Sequence, residues 1–411
     1  MNKNRYKDLL WNFNYQASAT KRGPTLRLGV FSSEQELFQA QKAFELTLST
    51  DLLFEQSYQK DEPKKPTQND GLLLWEMLPP DITASLQHAT LDQPLRLKIS
   101  SNSPAVDDLP WEWLNDGGQP FALRPEIRLS RSVPIPVSTP LISVQLPLRV
   151  LLVLTNPKDE RLLNAQAEIH AIASSLTGPS YELQILSEPN VEALKKALEQ
   201  EPHIFHYVGH AGISRGNGHI ILNDSNRISH WVSGQELASM LPLSVRLLCL
   251  STCFSAPNYQ IAGLARLAHT SAQFHLPTCI ANRYPVTEIG VNQFWGKFYA
   301  SLIAHRGNVN EAFHDAQQAI TDEAQGDKGS FSLIIRDSSG HPMRLTSETP
   351  QSKEQYEIEI RAQFASRLAN DLAQNLAKFG NEPTESLETL YKEEASKAVD
   401  LSEDMMEWDE S

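Results

Sequence analysis

Cysteine is scarce in this chain, with three in 411 residues. Cys249, Cys253 and Cys279 are odd in number, and each sits in apolar, strand-like surroundings. That excludes a disulfide framework as the basis of the fold and makes a reducing cytoplasm the expected compartment. Long apolar runs are missing too: none approaches the ~18 residues that a membrane-spanning helix requires. The basic start, Met1-Asn2-Lys3-Asn4-Arg5-Tyr6-Lys7, leads into polar and aromatic residues rather than the apolar stretch of a signal peptide, so secretion by that route is not expected. Positive charge is also in deficit, with 36 Lys and Arg against 50 Asp and Glu and a net charge of −14. Direct nucleic-acid binding, which normally shows a basic face, is therefore not expected. No internal repeat is visible.

What is present divides into three parts. A chain of this length exceeds one ordinary core and predicts two or three folding units. Residues 1–140 read as a mixed α+β accessory domain. Thr25 to Phe31 predicts a strand, and Ser33, with Glu36 in capping-box position, predicts a helix over Glu34 to Leu46. Asp61 to Gly71 is polar and reads as an exposed loop. Leu95 to Ile99 and Ile127 to Val133 alternate as half-buried strands do. Between them Leu109-Pro110-Trp111-Glu112-Trp113-Leu114 places two tryptophans in a short helical turn, there to pack the unit. Pro134 to Pro147 holds four prolines and reads as a seam.

From Leu148 to about 345 the pattern turns regular. Arg149 to Leu154 is a near-continuous apolar strand of the kind buried on both faces. Strands follow at Tyr181 to Leu186, His203 to Val208, Val245 to Leu250, Thr278 to Asn282 and Ser330 to Ile335, with a short hairpin strand at Gly218 to Leu222. Helices alternate with them at Asn164 to Leu176, Val191 to Leu198, Ser233 to Leu241, Ala262 to His269, Val291 to Ala304 and Val309 to Glu323. Strand alternating with helix predicts an α/β fold with a largely parallel sheet covered by helices on both faces. Residues 350–411 form a third part, a helical acidic tail that carries more than half of the net negative charge. Met405, Met406 and Trp408 lie among its acids, and apolar anchors in a charged segment suit docking to a partner.

Two segments carry chemistry. His206-Tyr207-Val208-Gly209-His210-Ala211-Gly212 and Leu250-Ser251-Thr252-Cys253-Phe254-Ser255-Ala256 each close an apolar strand. Neighbouring parallel strands ending in imidazole and thiol would bring the two together at the sheet edge where α/β folds place their reactive groups. A thiol attacks a carbonyl as thiolate, and an adjacent imidazole can take its proton and return it to the leaving amine. His210, at the strand end between Gly209 and Gly212, is the expected base, with room for a substrate to approach. His206 lies deeper and is expected to pack or hydrogen-bond. Cys253 is the expected nucleophile, and Cys249 and Cys279 read as inert core residues. Backbone N–H groups of Ala211, Gly212 and Cys253 are the expected oxyanion donors. For substrate selection, Asp224 would favour a basic side chain, and Arg215 or Arg283 an acidic one; spacing does not decide between them. No metal or cofactor is expected, since His203 points away from His206 and His210 and no carboxylate or second cysteine stands at a helpful spacing.

On these residues the chain resembles the CHAT family of caspase-like cysteine peptidases. The match runs over about residues 148–340. It includes both motifs above, Gly263-Leu264-Ala265-Arg266, Phe298-Tyr299, and Asn310-Glu311-Ala312-Phe313 with Ala316. Leu109 to Leu114 and Arg128-Leu129-Ser130-Arg131 resemble segments that often precede this domain. The resemblance implies a caspase-like fold, His210 as base and Cys253 as nucleophile. It also implies cleavage of a specific protein partner, encoded nearby in a bacterial defence or signalling system and gated by an activating protein or complex. Two departures stand out: Ala211 where glycine is common, and Arg283-Tyr284-Pro285 where a tryptophan–proline pair is usual. The rival expectation is a catalytically silent scaffold of the same fold that binds protein.

Overall fold

In the computed structural model the residues described are 7–16, 25–32, 45–46, 65–84, 86, 89–101, 104–133, 142–160, 165–176, 178–214, 217–251, 258–336 and 343–346. All lie in the first of the two units into which the chain divides, Met1–Pro350. The tail expected to be helical after residue 350 lies outside them, as does Cys253.

Strands β1 (Lys7–Gln16), β2 (Thr25–Ser32) and β3 (Glu45–Leu46) open the chain. β1 is a strand that the reading above does not contain, although Leu9, Trp11 and Phe13 alternate and are all buried. The helix expected over Glu34 to Leu46 is corrected at its end. Glu45 and Leu46 pair antiparallel with Arg27 and Leu26, where open backbone groups on β2 reward a strand more than a local cap rewards a helix. The loop expected to reach Gly71 is corrected as well. Helix α1 (Gln68–Met77) begins inside it, because Thr67 and Asp70 close a capping box. Next come α2 (Pro80–Ala84), β4 (Leu95–Ser101), α3 (Pro104–Asp107), single helical turns at Trp111–Trp113 and Phe121–Leu123, then β5 (Ile127–Ser132) and β6 (Ile142–Gln145). Trp111 is 1% exposed, packs on Phe13 with ring centroids 4.9 Å apart, and donates from Nε1 to the Val106 carbonyl at 2.9 Å.

The regular part follows as β7 (Leu148–Leu154), α4 (Gln166–Ser175), β8 (Tyr181–Ser187), α5 (Val191–Leu198) and β9 (Ile204–Val208). A hairpin excursion comes next: β10 (Ala211–Ser214), β11 (Asn217–Asn223) and β12 (Ser229–Ser233). The chain then continues with α6 (Gly234–Met240), β13 (Leu247–Ser251), α7 (Asn258–Phe274), β14 (Thr278–Asn282), α8 (Glu288–Ala304), α9 (Val309–Ala319), β15 (Phe331–Ile335) and β16 (Met343–Thr346). Side-chain caps set several of these starts, Asn190 for α5, Ser233 for α6, Thr287 for α8 and Asn308 for α9.

Among the described residues eleven strands form one sheet in the order β3-β2-β1-β4-β5-β15-β14-β13-β9-β7-β8, while β10-β11-β12 and β16-β6 form two small separate sheets. In the large sheet only the β3–β2, β2–β1 and β15–β14 pairings are antiparallel, so it is largely parallel with helices on both faces, as expected. The N-terminal strands extend this same sheet, since β5 pairs with β15 through Ile334↔Arg131 and Ile335↔Ser132. Two separate cores nevertheless pack along it. One gathers Trp11, Phe13, Leu97 and Trp111, and the other Phe205, Tyr207, Leu248 and Leu250. A buried ion pair reinforces the seam between them. Glu112 accepts from Arg131 Nε at 2.7 Å and Nη2 at 2.6 Å, and from Ser332 Oγ of β15 at 2.6 Å.

The order β13-β9-β7-β8 has a consequence for function. From β7 the chain crosses to β8 on one side and returns to β9 on the other, so the strand order reverses at β7. The two crossover helices take opposite faces. Leu194 and Leu198 of α5 pack with Phe205 and Tyr207, while α4 packs with α8, whose Tyr299 bonds to His206. Such a reversal opens a crevice at the carboxyl ends of its strands, where the loops diverge.

Candidate active site

The crevice between β7 and β9 is where His210 lies. Its ring is 1% exposed, and two residues of the loop after β7 hold it. Asn156 Oδ1 is 3.3 Å from Nε2, and Glu160 Oε2 is 3.9 Å from Nδ1. An amide oxygen accepts, so this contact favours the tautomer with the proton on Nε2. The backbone at His210 is pinned as well. Its carbonyl accepts from the Tyr207 hydroxyl at 2.5 Å and from Ile221 N at 3.0 Å, and the Tyr207 hydroxyl lies 2.8 Å from Thr155 Oγ1. Glu188 braces the loop, accepting from Asn156 N at 3.1 Å and from Asn223 Nδ2 at 2.6 Å.

β13 brings the second motif alongside. Ser251 pairs with Val208, and Gly209 N donates to the Ser251 carbonyl at 3.2 Å, so both motif-bearing strands end side by side. Cys253 follows two residues later. Covalent geometry keeps its Cα within about 7 Å of that of Ser251.

The expected oxyanion donors separate. In the β10–β11 ladder Ala211 stands opposite Ile220 and Gly212 opposite His219, while Ile221 N bonds to His210 O. Antiparallel pairs alternate, so Gly212 is a hydrogen-bonded pair with its N–H turned to His219, and the Ala211 N–H points away from β11. Space beside Gly209 is taken by the hydroxyls of Thr155 and Tyr207, and Gly212 lies between the Trp231 indole and the backbone of α7 at Gly263. Glycine is required at 263 because a Cβ there would meet Gly212 N at 2.9 Å.

Other expected residues fall elsewhere. Asp224 caps the β11–β12 turn, accepting from Asn226 N at 2.7 Å and Ile228 N at 2.8 Å. Arg283 pairs with Asp108 at 3.3 Å and also donates to the Asp107 carbonyl. Arg215 lies outside the described residues. His206 is fully buried with Nδ1 2.5 Å from the Tyr299 hydroxyl, and desolvation lowers its pKa to about 3. Cys249 beneath it is buried, and its thiol is pushed up by desolvation. His203 Nδ1 accepts from Arg149 N at 3.1 Å. Asn156, Glu160 and Glu168 are absent from the sequence reading. The signal for the first two was the polar run Thr155 to Glu160 directly after an apolar strand.

Glu168, in the first turn of α4, is 5% exposed. Burial raises its pKa from 4.5 to about 7, with the Ser251 hydroxyl drawing it partly back. A carboxyl raised in this way costs nothing below about pH 4.5, and its cost grows as pH rises toward 7 and is complete above it. The cost at pH 8 comes to ~3 kcal/mol at 1.36 kcal/mol per pH unit. Glu168→Gln is therefore expected to exceed wild type in stability by about that amount at pH 8 and to match it near pH 4, measured by urea unfolding. Equal stabilities at both pH values would sink this expectation.

An open cleft of about 590 Å³ lies elsewhere, against β8 and α5, lined by Arg149, Glu182, Gln184 and Lys196 among others. No helix among the described residues is long and apolar enough to cross a membrane.

Comparison with known proteins places this geometry in context. The profile of the CHAT domain family matches residues 68–388. No curated protein matches the sequence. Among solved structures the chain is similar to separase in the Saccharomyces cerevisiae separase–securin complex (17% identity, 62% of this chain and 16% of that one, TM-score 0.36). It is also similar to the Porphyromonas gingivalis RgpB pro- and mature-domain complex (11% identity, 64% and 68%, TM-score 0.40) and to the Drosophila initiator caspase Dronc (10% identity, 50% and 84%, TM-score 0.33). The chain thus spans about 16% of the length of the separase chain it matches.

Proposed function

The chain belongs to the CHAT domain family, and from that membership and the crevice at His210 we propose that it is a cysteine endopeptidase. The observation that carries the reading is the convergence of three strand ends: Asn156 and Glu160 after β7, His210 after β9, and β13 leading to Cys253. In this mechanism Nδ1 of His210 takes the Cys253 thiol proton, and the thiolate attacks the scissile carbonyl. The Ala211 and Cys253 N–H groups hold the oxyanion, since the ladder engages that of Gly212. The imidazolium then protonates the leaving amine, and water hydrolyses the thioester. Glu160 stabilises the imidazolium by charge.

The reading extends to a protein substrate encoded nearby, to activation by a partner protein or complex acting through residues 350–411, to a role in bacterial defence, and to a reducing, cytoplasmic setting. The test is to incubate the purified full-length protein and its Cys253→Ala form with proteins encoded beside it, singly and together. Cutting by wild type alone supports the peptidase. Failure to cut any of them in every combination overturns it in favour of the silent, protein-binding scaffold.

Glu160 and Asn156 act through His210 and are positioning residues. Glu160→Gln is expected to lower kcat about 10-fold with KM unchanged, because the charge matters only once the imidazolium forms. Asn156→Ala is expected to lower kcat by a similar factor through loss of the tautomer lock, with Asn156→Asp restoring part of it. A change confined to KM in either variant would assign these residues to substrate binding instead.

A further inference from the structure

We propose, resting on the peptidase reading above, that Trp231 and Asp159 form a subsite for an arginine side chain of the substrate, just beyond the bond to be cut. The subsite lies on the small β10–β11–β12 sheet, on the face turned away from α7.

Register puts Trp231 on the same face as the base. Ile221 N bonds to the His210 carbonyl, which carries the β10–β11 ladder back to His210, and Trp231 stands opposite Ile221 on β12. Residues opposite one another share a face, so His210, Ile221 and Trp231 form one row across the three strands. Gly212 and His219 form the next row on that face. The other face, with Ala211, Ile220 and Val232, packs on Leu264 and Leu267 of α7.

The indole spans the two rows. Its centroid is 5.7 Å from that of the His219 ring, and its six-membered ring fills the place a Cβ on Gly212 would take. Gly212 is two residues along the strand from His210, a distance of about 7 Å. An aromatic surface therefore runs from β12 across β11 to the immediate neighbour of the base. Trp231 remains 40% exposed, so only part of the ring is used in holding the hairpin.

A carboxylate stands beside this surface. Ser229 lies two residues before Trp231 and shares its face, and it donates from N and from Oγ to Asp159 Oδ1, both at 2.9 Å. Asp159 is exposed, and among the described residues no lysine or arginine pairs with it. Arg227 of the same turn pairs with Glu188 instead, at 3.8 Å. A planar guanidinium can lie on an indole and meet a carboxylate at its edge, which makes arginine the side chain that uses both groups. An acidic side chain would be repelled by Asp159 and Glu160, and an apolar one would use the indole alone.

The place in the substrate follows from the base. His210 protonates the leaving amine, so the chain that carries this amine lies against it. At about 3.4 Å per extended residue, a surface about 7 Å away is reached by the first two residues after the cut.

The experiment labels the full-length protein with 5-fluorotryptophan, which gives seven fluorine signals, and assigns that of Trp231 by its loss in Trp231→Phe. The probe is Ala-Arg-Ala-amide, whose free amine mimics the departing product, with citrulline and phenylalanine in place of arginine as controls. The arginine peptide is expected to move the Trp231 signal saturably in wild type and in Cys253→Ala, and to bind about 10-fold more tightly than the citrulline peptide. In Asp159→Asn that ratio is expected to fall to about threefold, which is what the indole alone supplies. No movement of the Trp231 signal, equal binding of the arginine and citrulline peptides, tighter binding of the phenylalanine peptide, or an unchanged ratio in Asp159→Asn overturns the proposal. Cleavage of a partner protein at bonds with no arginine in the two following residues also overturns it and leaves the peptidase standing. Arginine-selective binding at Trp231 without cleavage of any partner supports the subsite and removes the peptidase reading instead.

Discussion

On the proposed peptidase reading, His210→Ala is expected to slow cleavage by the full-length protein by ~10⁴-fold or more at neutral pH, approaching the loss expected on removing Cys253 itself. The two losses converge because the residues act as a unit: without a base the thiol is mostly protonated near neutrality, and without the imidazolium the amine departs unprotonated. The pH profile separates this role from a structural one. In the alanine variant the residual rate should climb toward pH 9 as thiolate forms unaided, whereas a merely unfolded variant would stay inactive throughout. The ring is 1% exposed, and its backbone is held by Tyr207 and Ile221 independently of the imidazole, so the fold should survive its removal. A rate within tenfold of wild type would place the base elsewhere.

Glu112→Ala is expected to destabilise the protein by about 3–5 kcal/mol, because it leaves the Arg131 guanidinium buried without its counter-charge. The Arg131 and Glu112 side chains are only 3% and 2% exposed, and Ser332 of β15 donates to the same carboxylate. Burial raises the Glu112 pKa, yet attraction and hydrogen bonds from Arg131 outweigh it, and the net direction is downward from 4.5. Its stabilising contribution is therefore present above about pH 4.5 and is lost as pH falls through the lowered folded value. Urea unfolding at pH 7 measures the cost. Glu112→Ala combined with Arg131→Met should recover most of it, since the stranded charge is gone. A double variant as unstable as the single one would show that the seam depends on packing rather than on the charge.

The pair also shows where sequence reading stops. Glu112 and Arg131 lie in segments that resemble those preceding the family's domain, but nothing in their 19-residue separation says they meet inside the protein. β5 must first pair with β15, some 200 residues away in the chain. Asn156 and Glu160 were missed for the same reason, because a polar run after a strand looks like any surface loop until the sheet order puts it against His210. β1 went unread although Leu9, Trp11 and Phe13 alternate. The helix expected up to Leu46 ended in a strand because the free edge of β2 lies outside any local window. By contrast Val191–Leu198 and Thr278–Asn282 were read to the residue.

Local chemistry was thus enough to settle the alternation of strand and helix, the inertness of Cys249 and Cys279, the depth of His206, and the two motifs that end neighbouring strands. Each depends on side-chain period, apolar runs or capping, which act over a few residues. The partners of His210, the ladder that occupies the N–H of Gly212, the neutralisation of Arg283 by Asp108 and the burial of Glu168 were decided only by the folded molecule. Hydrogen bonds and charge interactions depend on distances of a few ångströms between side chains, and strand order and register set those distances across tens to hundreds of residues of chain.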